Sequence, residues 1–298
     1  MERKPIFIDL QCDFGFKHCM SEEIIMKSFL NAILSEDYGM IDSLEFKNSE
    51  LSKKRSENRG VTFDLRCKLS NGTEILVEMQ NYTHPHFKTR ANYYLYKLMD
   101  ELLPRGVVWK NLEKDIPPLI GIFIMGKNIA ELTKPLTVTS EFDVDEKCEF
   151  WDRMRKYYIS LPHVKRKAVS SSKREVWFNV FKNLGRMDTI DETIIANADE
   201  GLLHLIEKAK VAALSKEEYA EYEASLKALS DEGLAENFGY RRGVAEGEIK
   251  GEIKGEIKGR AEEKIETVKM LLANGVDINI IAKCCRLSIE EVLKLKEE

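Results

Sequence analysis

The sequence lacks the features that would place the chain in a membrane or outside the cell. No apolar run approaches the roughly 18 residues that span a bilayer. The longest apolar stretch, Ile116–Met125, contains two prolines and one glycine. The N-terminal residues Met-Glu-Arg-Lys-Pro do not include the apolar segment of a secretory signal. We therefore expect a cytoplasmic protein that makes no membrane contact.

Cysteines are few, and their spacing is not that of a metal site. They are Cys12, Cys19, Cys67, Cys148, Cys284 and Cys285. Since none forms a Cys-x-x-Cys pair, we interpret them as reduced and mostly buried apolar residues. The same spacing argues against a zinc site that uses His84 and His86. With 43% hydrophobic and 33% charged residues, the composition predicts a globular fold with a packed core.

The net charge of −5 is unevenly distributed along the chain. Residues 1–174 carry 28 Lys and Arg against 25 Asp and Glu, whereas residues 175–298 carry 18 against 26. The basic clusters of the first part are Lys53-Lys54-Arg55 with Arg59, Arg153/Arg155/Lys156, and Lys165-Arg166-Lys167 with Lys173-Arg174. These clusters could contact phosphate groups or lie in solvated loops. The sequence leaves both interpretations open.

Helical and strand patterns alternate over residues 1–172. Helices are predicted over Ser21–Leu34, with Ser21 as the N-cap, and over about Phe87–Leu103. Strands are predicted over Ile41–Lys47, Val61–Leu69, Thr73–Gln80, Leu119–Met125, Leu136–Val144 and Tyr157–Leu161. Leu119–Met125 is apolar throughout, which suits a strand buried on both faces. We predict one α/β domain built around a mixed central sheet.

Beyond about Lys173 the patterns predict helices only. They cover Arg174–Leu184, Asp199–Leu214 and Lys216–Leu229. We expect three parts in the chain: an α/β domain over 1–172, a helical extension over 173–232, and a glycine-repeat helix with a helical hairpin over 233–298.

A four-residue glycine repeat marks the start of the third part. Its members are Gly239, Gly243, Gly247, Gly251, Gly255 and Gly259. On a helix they would form a nearly straight stripe that costs about 1 kcal/mol per glycine relative to alanine. Because such a helix needs a partner, we expect it to mediate self-association as a homodimer. A semi-flexible connector is the alternative.

The sequence pattern of Val268–Lys296 resembles that of a helix-turn-helix. Ser288 with Glu291 three residues later matches a capping box. The final helix could contact DNA. However, it carries two acids at the end that should meet the bases, so we favour a packing or dimerisation hairpin.

A predicted hairpin carries the most informative polar residues. If Ser70-Asn71-Gly72 is a three-residue loop, Asp64 lies opposite Glu78, with Cβ atoms about 4.5–5.5 Å apart. A two-residue Asn-Gly turn would instead place the two acids on opposite faces. Gln80 would share the face of Glu78. Facing carboxylates repel unless a cation lies between them, and Mg²⁺ suits oxygen ligands. Scattered acids on a solvent-facing hairpin are the alternative.

These residues also carry a family resemblance. Asp64, followed by Glu78-Met79-Gln80 on the next strand, resembles the core of PD-(D/E)XK nucleases in the variant where glutamine replaces the usual lysine. Asp13-Phe14-Gly15-Phe16-Lys17, the helix containing Ser28-Phe29-Leu30, and Arg90-Ala91-Asn92-Tyr93-Tyr94 are similar to signatures of the transposase-like branch, the recombination-promoting nucleases.

The resemblance implies an αβββαβ core of the restriction-endonuclease type, followed by an all-helical C-terminal region. It implies a Mg²⁺-dependent DNA endonuclease, with Mn²⁺ as a possible substitute, acting on double-stranded DNA in recombination or transposition. Asp64, Glu78 and the Met79 carbonyl would bind the metal, and Gln80 would complete the catalytic set. Asp13, Lys17 and Arg90 would frame the site, with Arg90 or Lys17 holding the phosphate.

Two other functions remain open at this stage. One is a non-catalytic DNA-binding or regulatory protein that keeps the nuclease fold and works through its tail. The other is an RNA nuclease, because the metal chemistry does not distinguish the sugar.

Overall fold

The computed structural model describes residues 5–51, 61–81, 86–103, 116–165, 172–285 and 287–297. The chain divides into two compact units, Met1–Gly233 and Leu234–Glu298. The helices of the described residues are α1 (Asp13–Met20), α2 (Glu23–Tyr38), α3 (Phe87–Leu102), α4 (Lys173–Asn183), α5 (Glu192–Ala196), α6 (Glu200–Lys208), α7 (Lys216–Ala273), α8 (Ile278–Cys285) and α9 (Ile289–Glu297). Their strands are β1 (Leu44–Phe46), β2 (Glu50–Leu51), β3 (Val61–Thr62), β4 (Leu65–Leu69), β5 (Glu74–Gln80), β6 (Leu119–Met125), β7 (Leu136–Asp143) and β8 (Cys148–Ser160).

The first unit is built around a six-stranded mixed sheet with the order β1-β4-β5-β6-β8-β7. Strands β5, β6 and β8 are parallel, and the other neighbouring pairs are antiparallel. Helix α3 lies between β5 and β6 along the chain, as a parallel connection requires. The succession α2, β1, β4, β5, α3, β6 is the predicted αβββαβ core, with the small β2–β3 pair inserted. The predicted α/β class with a mixed sheet and a helical C-terminal region is confirmed.

Each face of the sheet has its own apolar core. Apolar side chains of β4, β5 and β6 such as Cys67, Val77 and Ile122 belong to the larger core, together with residues of α2, α4 and α6. The alternate residues, such as Leu76, pack with α3 on the other face. All seven residues of β6 are buried, so the prediction of a strand buried on both faces is confirmed.

Aromatic contacts join the helical region to the larger core. Phe29 of α2 meets Trp177 and Phe181 of α4 edge to face, with ring centroids 5.4 and 5.2 Å apart. Burial of each such ring contributes roughly 1.5–3 kcal/mol. Leu205 of α6 and Tyr222 of α7 are buried in the same core. The helices that follow the sheet along the chain therefore stabilise the sheet.

The first helices begin at other residues than the sequence predicted. The prediction of Ser21 as an N-cap is wrong. Ser21 is the C-cap of α1, and its hydroxyl donates to the His18 carbonyl at 3.2 Å. Helix α1 is capped by Cys12, whose Sγ accepts from the Gly15 N–H at 3.3 Å. Helix α2 then begins after Glu22, which binds His204 and Lys208 of α6. A long-range ion pair thus lies at the start of α2, one residue after the expected N-cap.

The second unit contains the end of α7 together with α8 and α9. Its core consists of Val268, Ile281, Ala282 and Val292. The predicted capping box is confirmed, since the Glu291 N–H donates to Ser288 Oγ at 3.2 Å and the Ser288 N–H donates to Glu291 Oε2 at 2.7 Å. The backbone is helical through the glycine repeat. In the part of the chain that the structure describes, no helix is both long and apolar enough to cross a membrane.

Candidate active site

The β4–β5 hairpin has the register predicted from a three-residue loop. Leu65 pairs with Val77, and Arg66 pairs with Leu76. Gly72 closes the loop with a left-handed φ of 88° and donates its N–H to the Leu69 carbonyl at 2.9 Å. The same register, extended by one residue, sets Asp64 opposite Glu78.

At Asp64 and Glu78, hydrogen bonds from backbone N–H groups to side chains replace the backbone hydrogen bonds between the two strands. The Asp64 N–H donates to Glu78 Oε1 at 3.0 Å, and the Met79 N–H donates to Asp64 Oδ2 at 2.8 Å. Strand β4 therefore begins only at Leu65. The alternation of the strand also breaks here, since Leu65 packs in the larger core whereas Phe63 packs in the core beside α3. Phe63 meets Tyr94 of α3 edge to face at 5.4 Å, because the bend at Asp64 turns it to the other core.

Asp64 and Glu78 are both withdrawn from solvent. Glu78 is 2% exposed, and the Asp64 side chain is 20% exposed. Burial raises the pKa of both carboxyls. The negative charge of Asp64 adds to this effect and brings the pKa of Glu78 to about 8. A hairpin with its acids facing solvent is excluded, and the pair would gain from a nearby cation.

Helix α1 brings an ammonium group to this pair. Lys17 Nζ lies 2.7 Å from Asp13 Oδ1 and 3.8 Å from Asp64 Oδ1. Partial burial acts to lower the pKa of Lys17. The hydrogen bond to Asp13 and the charges of Asp13, Asp64 and Glu78 outweigh it and raise that pKa. Lys17 is therefore protonated at neutral pH, next to the more exposed of the two buried acids.

The acidic pair opens into a pocket of about 320 Å³. Of the residues singled out from the sequence, those that line this pocket are Asp13, Asp64, Glu78, Met79, Gln80 and Arg90. Arg90 of α3 donates from Nε to the Tyr94 hydroxyl at 2.6 Å, and this bond orients its guanidinium. The structure thus brings these six residues together around one pocket, with Lys17 within 4 Å of Asp64.

Six further residues line the pocket without having been predicted. They are Gln11, Cys12, Asn81, Ser225, Ala228 and Leu229. Asn81 directly follows Gln80 at the end of β5, so its position at a strand end was a usable signal. A Cβ at Gly126 would lie 1.8 Å from Asn81 Oδ1, so only glycine leaves room for that amide. For Ser225, Ala228 and Leu229 of α7 the local sequence holds no signal.

The oxygen atoms of the site suit a hard cation. Each acidic side chain accepts its backbone hydrogen bond on one oxygen, so the second oxygen of each carboxyl can bind an ion. Among the described residues, no group of three or more His, Cys, Asp or Glu is placed to hold a metal. Within those residues, carbonyl and amide oxygens are the further donors at the pocket, and Mg²⁺ and Ca²⁺ accept such donors whereas zinc sites rarely use them.

The basic clusters seen in the sequence are not all available to a ligand. Arg155 donates to Glu149 at 2.8 Å, and Lys156 donates to Asn92 at 2.8 Å. These two cations are thus engaged within the protein. Lys53-Lys54-Arg55 with Arg59, and Arg166-Lys167, lie outside the described residues.

Comparison with known proteins identifies the family of the chain. No curated protein and no solved structure matches the chain. The family model described as PD-(D/E)XK nuclease family transposase matches residues 10–236. This range covers more than half of the chain and contains the pocket residues from Gln11 to Leu229. The chain therefore belongs to the PD-(D/E)XK nuclease family of transposases.

Proposed function

We propose that this protein is a metal-dependent DNA endonuclease that hydrolyses phosphodiester bonds. The observation that carries the proposal is the buried pair Asp64 and Glu78, joined through backbone hydrogen bonds and set beside the cations Lys17 and Arg90. Acids that only stabilised the fold would be paired with cations at hydrogen-bond distance, as Glu74 is with Arg66 at 3.0 Å. The acidic pair faces a pocket instead.

The proposed ligands of the metal are the carboxylates of Asp64 and Glu78 and the Met79 carbonyl. The donor set is all oxygen, which favours Mg²⁺, with Mn²⁺ as a substitute. When bound, the ion would lower the pKa of a water molecule and offset the negative charge of the phosphate. The ion would also favour the ionised form of both carboxyls, against the effect of their burial.

The other side chains have separate roles in this proposal. Arg90 and Lys17 hold the scissile phosphate through charge-assisted hydrogen bonds. Asp13 keeps Lys17 directed towards Asp64, since it binds the ammonium at 2.7 Å. Gln80, which occupies the place of the family's usual lysine, carries no charge, so its amide can orient the attacking water or a phosphate oxygen but cannot remove a proton.

Membership of the nuclease family supports a proposal for the substrate and the process. We propose double-stranded DNA as the substrate, recombination or transposition as the process, and the cytoplasm as the location. Association of two chains through the glycine repeat would place two such sites on one DNA, so that both strands are cut.

The test is nicking of supercoiled plasmid by the purified full-length chain. With Mg²⁺ we expect relaxed and linear products, which disappear with EDTA and in Asp64→Ala. Parallel reactions with a structured RNA determine which nucleic acid is cleaved. Plasmid binding without cleavage, in either metal, would contradict the nuclease proposal and favour a DNA-binding regulator. Cleavage that survives both EDTA and Asp64→Ala would come from another site or a contaminant.

A further inference from the structure

The segment Asp9–Lys17 contains two residues of the site, Asp13 and Lys17. A helix from far along the chain holds this segment in place. The Tyr222 hydroxyl of α7 accepts a hydrogen bond from the Asp9 N–H at 2.9 Å. Ser225 Oγ, one turn further, accepts from the Phe14 N–H at 3.0 Å. Tyr222 is 1% exposed, so its hydroxyl contact is protected from water. The segment is therefore tied to α7 at both ends of its turn.

The turn between Asp9 and Phe14 is tightly packed, so one of its residues cannot shift without shifting the others. A Cβ at Gly15 would lie 2.1 Å from the Asp9 carbonyl oxygen, and one at Gly185 would lie 2.6 Å from the Asp9 Cα. The Cys12 thiol donates to the Asp9 carbonyl at 3.2 Å. A shift at Asp9 is thereby passed on to the start of α1, and from there to Lys17, one turn after Asp13.

Helix α7 also forms one wall of the pocket. Ser225, Ala228 and Leu229 line it together with the acidic pair. Tyr222, Ser225 and Leu229 are spaced by three and four residues, which places them on one face of a helix. This face therefore contacts both the turn before α1 and the pocket.

We propose that Tyr222 and Ser225 are positioning residues of the cleavage site, which fix the segment from Asp9 to Lys17 so that the Lys17 ammonium lies beside Asp64. This inference rests on the proposed nuclease function. A site assembled from β4, β5 and α3 alone would lack this control over Lys17. The first turns of α7 therefore complete the active site, although they follow the αβββαβ core by about a hundred residues.

The first test is amide hydrogen exchange of the metal-free full-length chain, which does not depend on activity. Tyr222→Phe and Ser225→Ala each remove one acceptor and keep most of the packing. We expect peptides spanning residues 9–17 to exchange at least about tenfold faster in both variants, because local opening becomes easier. Ser230→Ala, at an exposed position of the same helix, is the control and should leave this exchange unchanged. Unchanged exchange in the two test variants would overturn the proposal.

The second test is kinetic. We expect Tyr222→Phe and Ser225→Ala to lower kcat for plasmid cleavage about 10- to 100-fold, the effect of a displacement of about 1 Å, with KM within about twofold. Ser225→Thr, which keeps the hydroxyl, should restore most of the rate. In a Lys17→Ala background, Ser225→Ala should cause no further loss. Losses that multiply would show that Ser225 does not act through Lys17. If Ser225→Ala lowers the melting temperature, its loss of rate could come from a loss of stability. The rate of Tyr222→Phe, which keeps the buried ring, then tests the positioning role.

The two proposals fail in different ways. If Asp64→Ala abolishes cleavage while Tyr222→Phe and Ser225→Ala cleave at the full rate, the nuclease function stands and the positioning role is wrong. If Asp64→Ala leaves cleavage unchanged, the nuclease site itself is wrong.

Discussion

Asp64 donates its backbone N–H to the Glu78 side chain at 3.0 Å, so one acid of the site holds the other in place. Substitution of Glu78 therefore has two effects that can be separated. Alanine removes the charge and also leaves the Asp64 N–H without its acceptor. Glutamine removes the charge and keeps an oxygen in the same position.

We expect Asp64→Ala, Glu78→Ala and Glu78→Gln each to lower DNA cleavage by at least about 100-fold, because each removes a carboxylate from the proposed metal site. The fold should persist, and Glu78→Gln should melt at or above the temperature of the parent chain because repulsion is relieved. Plasmid nicking and thermal melting measure the two effects. A Glu78→Gln variant that cleaves at the parental rate would remove Glu78 from the metal site.

We expect Gln80→Ala to reduce cleavage less than either acidic substitution does, because it deletes an orienting amide and no charge. Gln80 is buried, so a loss of stability has to be separated from a loss of rate. Initial rates at saturating Mg²⁺, measured well below the melting temperature, provide that separation. Equal activity of the Asp64, Glu78 and Gln80 alanine variants would place catalysis elsewhere.

Stability of the metal-free protein should fall as the pH rises. Burial and the charge of Asp64 raise the pKa of Glu78 from 4.5 to about 8. Between these values the folded state binds more protons than the unfolded state, so the free energy of unfolding decreases with increasing pH. We expect a loss of several kcal/mol across this window, because each unit of pKa shift corresponds to about 1.4 kcal/mol. Denaturant titrations in EDTA at pH 5 and pH 8 measure it.

Glu78→Gln is the control for this pH dependence. It should flatten the profile, and Mg²⁺ should restore stability to the parent chain at pH 8 but not to the variant. A parent chain that gains stability from pH 5 to pH 8 in EDTA would contradict the raised pKa.

Substitution of a second buried acid of β5, Glu74, should destabilise the fold. Glu74 is 2% exposed and pairs with Arg66 at 3.0 Å, while Arg66 also binds Glu101 at 2.9 Å. Because Glu74→Ala leaves a buried guanidinium with one partner fewer, we expect it to lower the free energy of unfolding by about 3 kcal/mol. Glu101→Ala, at the more exposed end, is the matched control and should cost about 1 kcal/mol or less. Equal losses would show that burial of the pair is unimportant.

The glycine repeat should mediate self-association. A helix with six glycines at four-residue spacing is about 5–6 kcal/mol less stable than its alanine equivalent. At Gly255 and Gly259 an added Cβ would have no atom within 4 Å, so in the described structure this chain does not itself cover these two positions. Sedimentation of the full chain against a truncation after Glu232 tests the prediction. If both are monomers at tens of micromolar, the repeat is a connector.

The sequence by itself determined the order of the elements in the αβββαβ core, and it limited the register of the acidic hairpin to two choices. Both depend on local physics, since strand side chains alternate with a period of two and a three-residue loop allows one pairing. It also identified the capping box of the last helix, which lies within four residues. It missed α1, because eight residues with a cysteine cap do not form a recognisable helical pattern.

Only the tertiary structure decided the surroundings of that hairpin. Phe14 and Ser225 are 211 positions apart, and no periodicity relates residues at such a distance. The raised pKa values of Asp64 and Glu78 likewise come from burial beneath several elements at once. Strand pairing depends on neighbours along the chain, whereas the approach of Lys17 to Asp64 and the pocket wall from α7 depend on how distant helices pack, which is set by the shape and volume of the whole core.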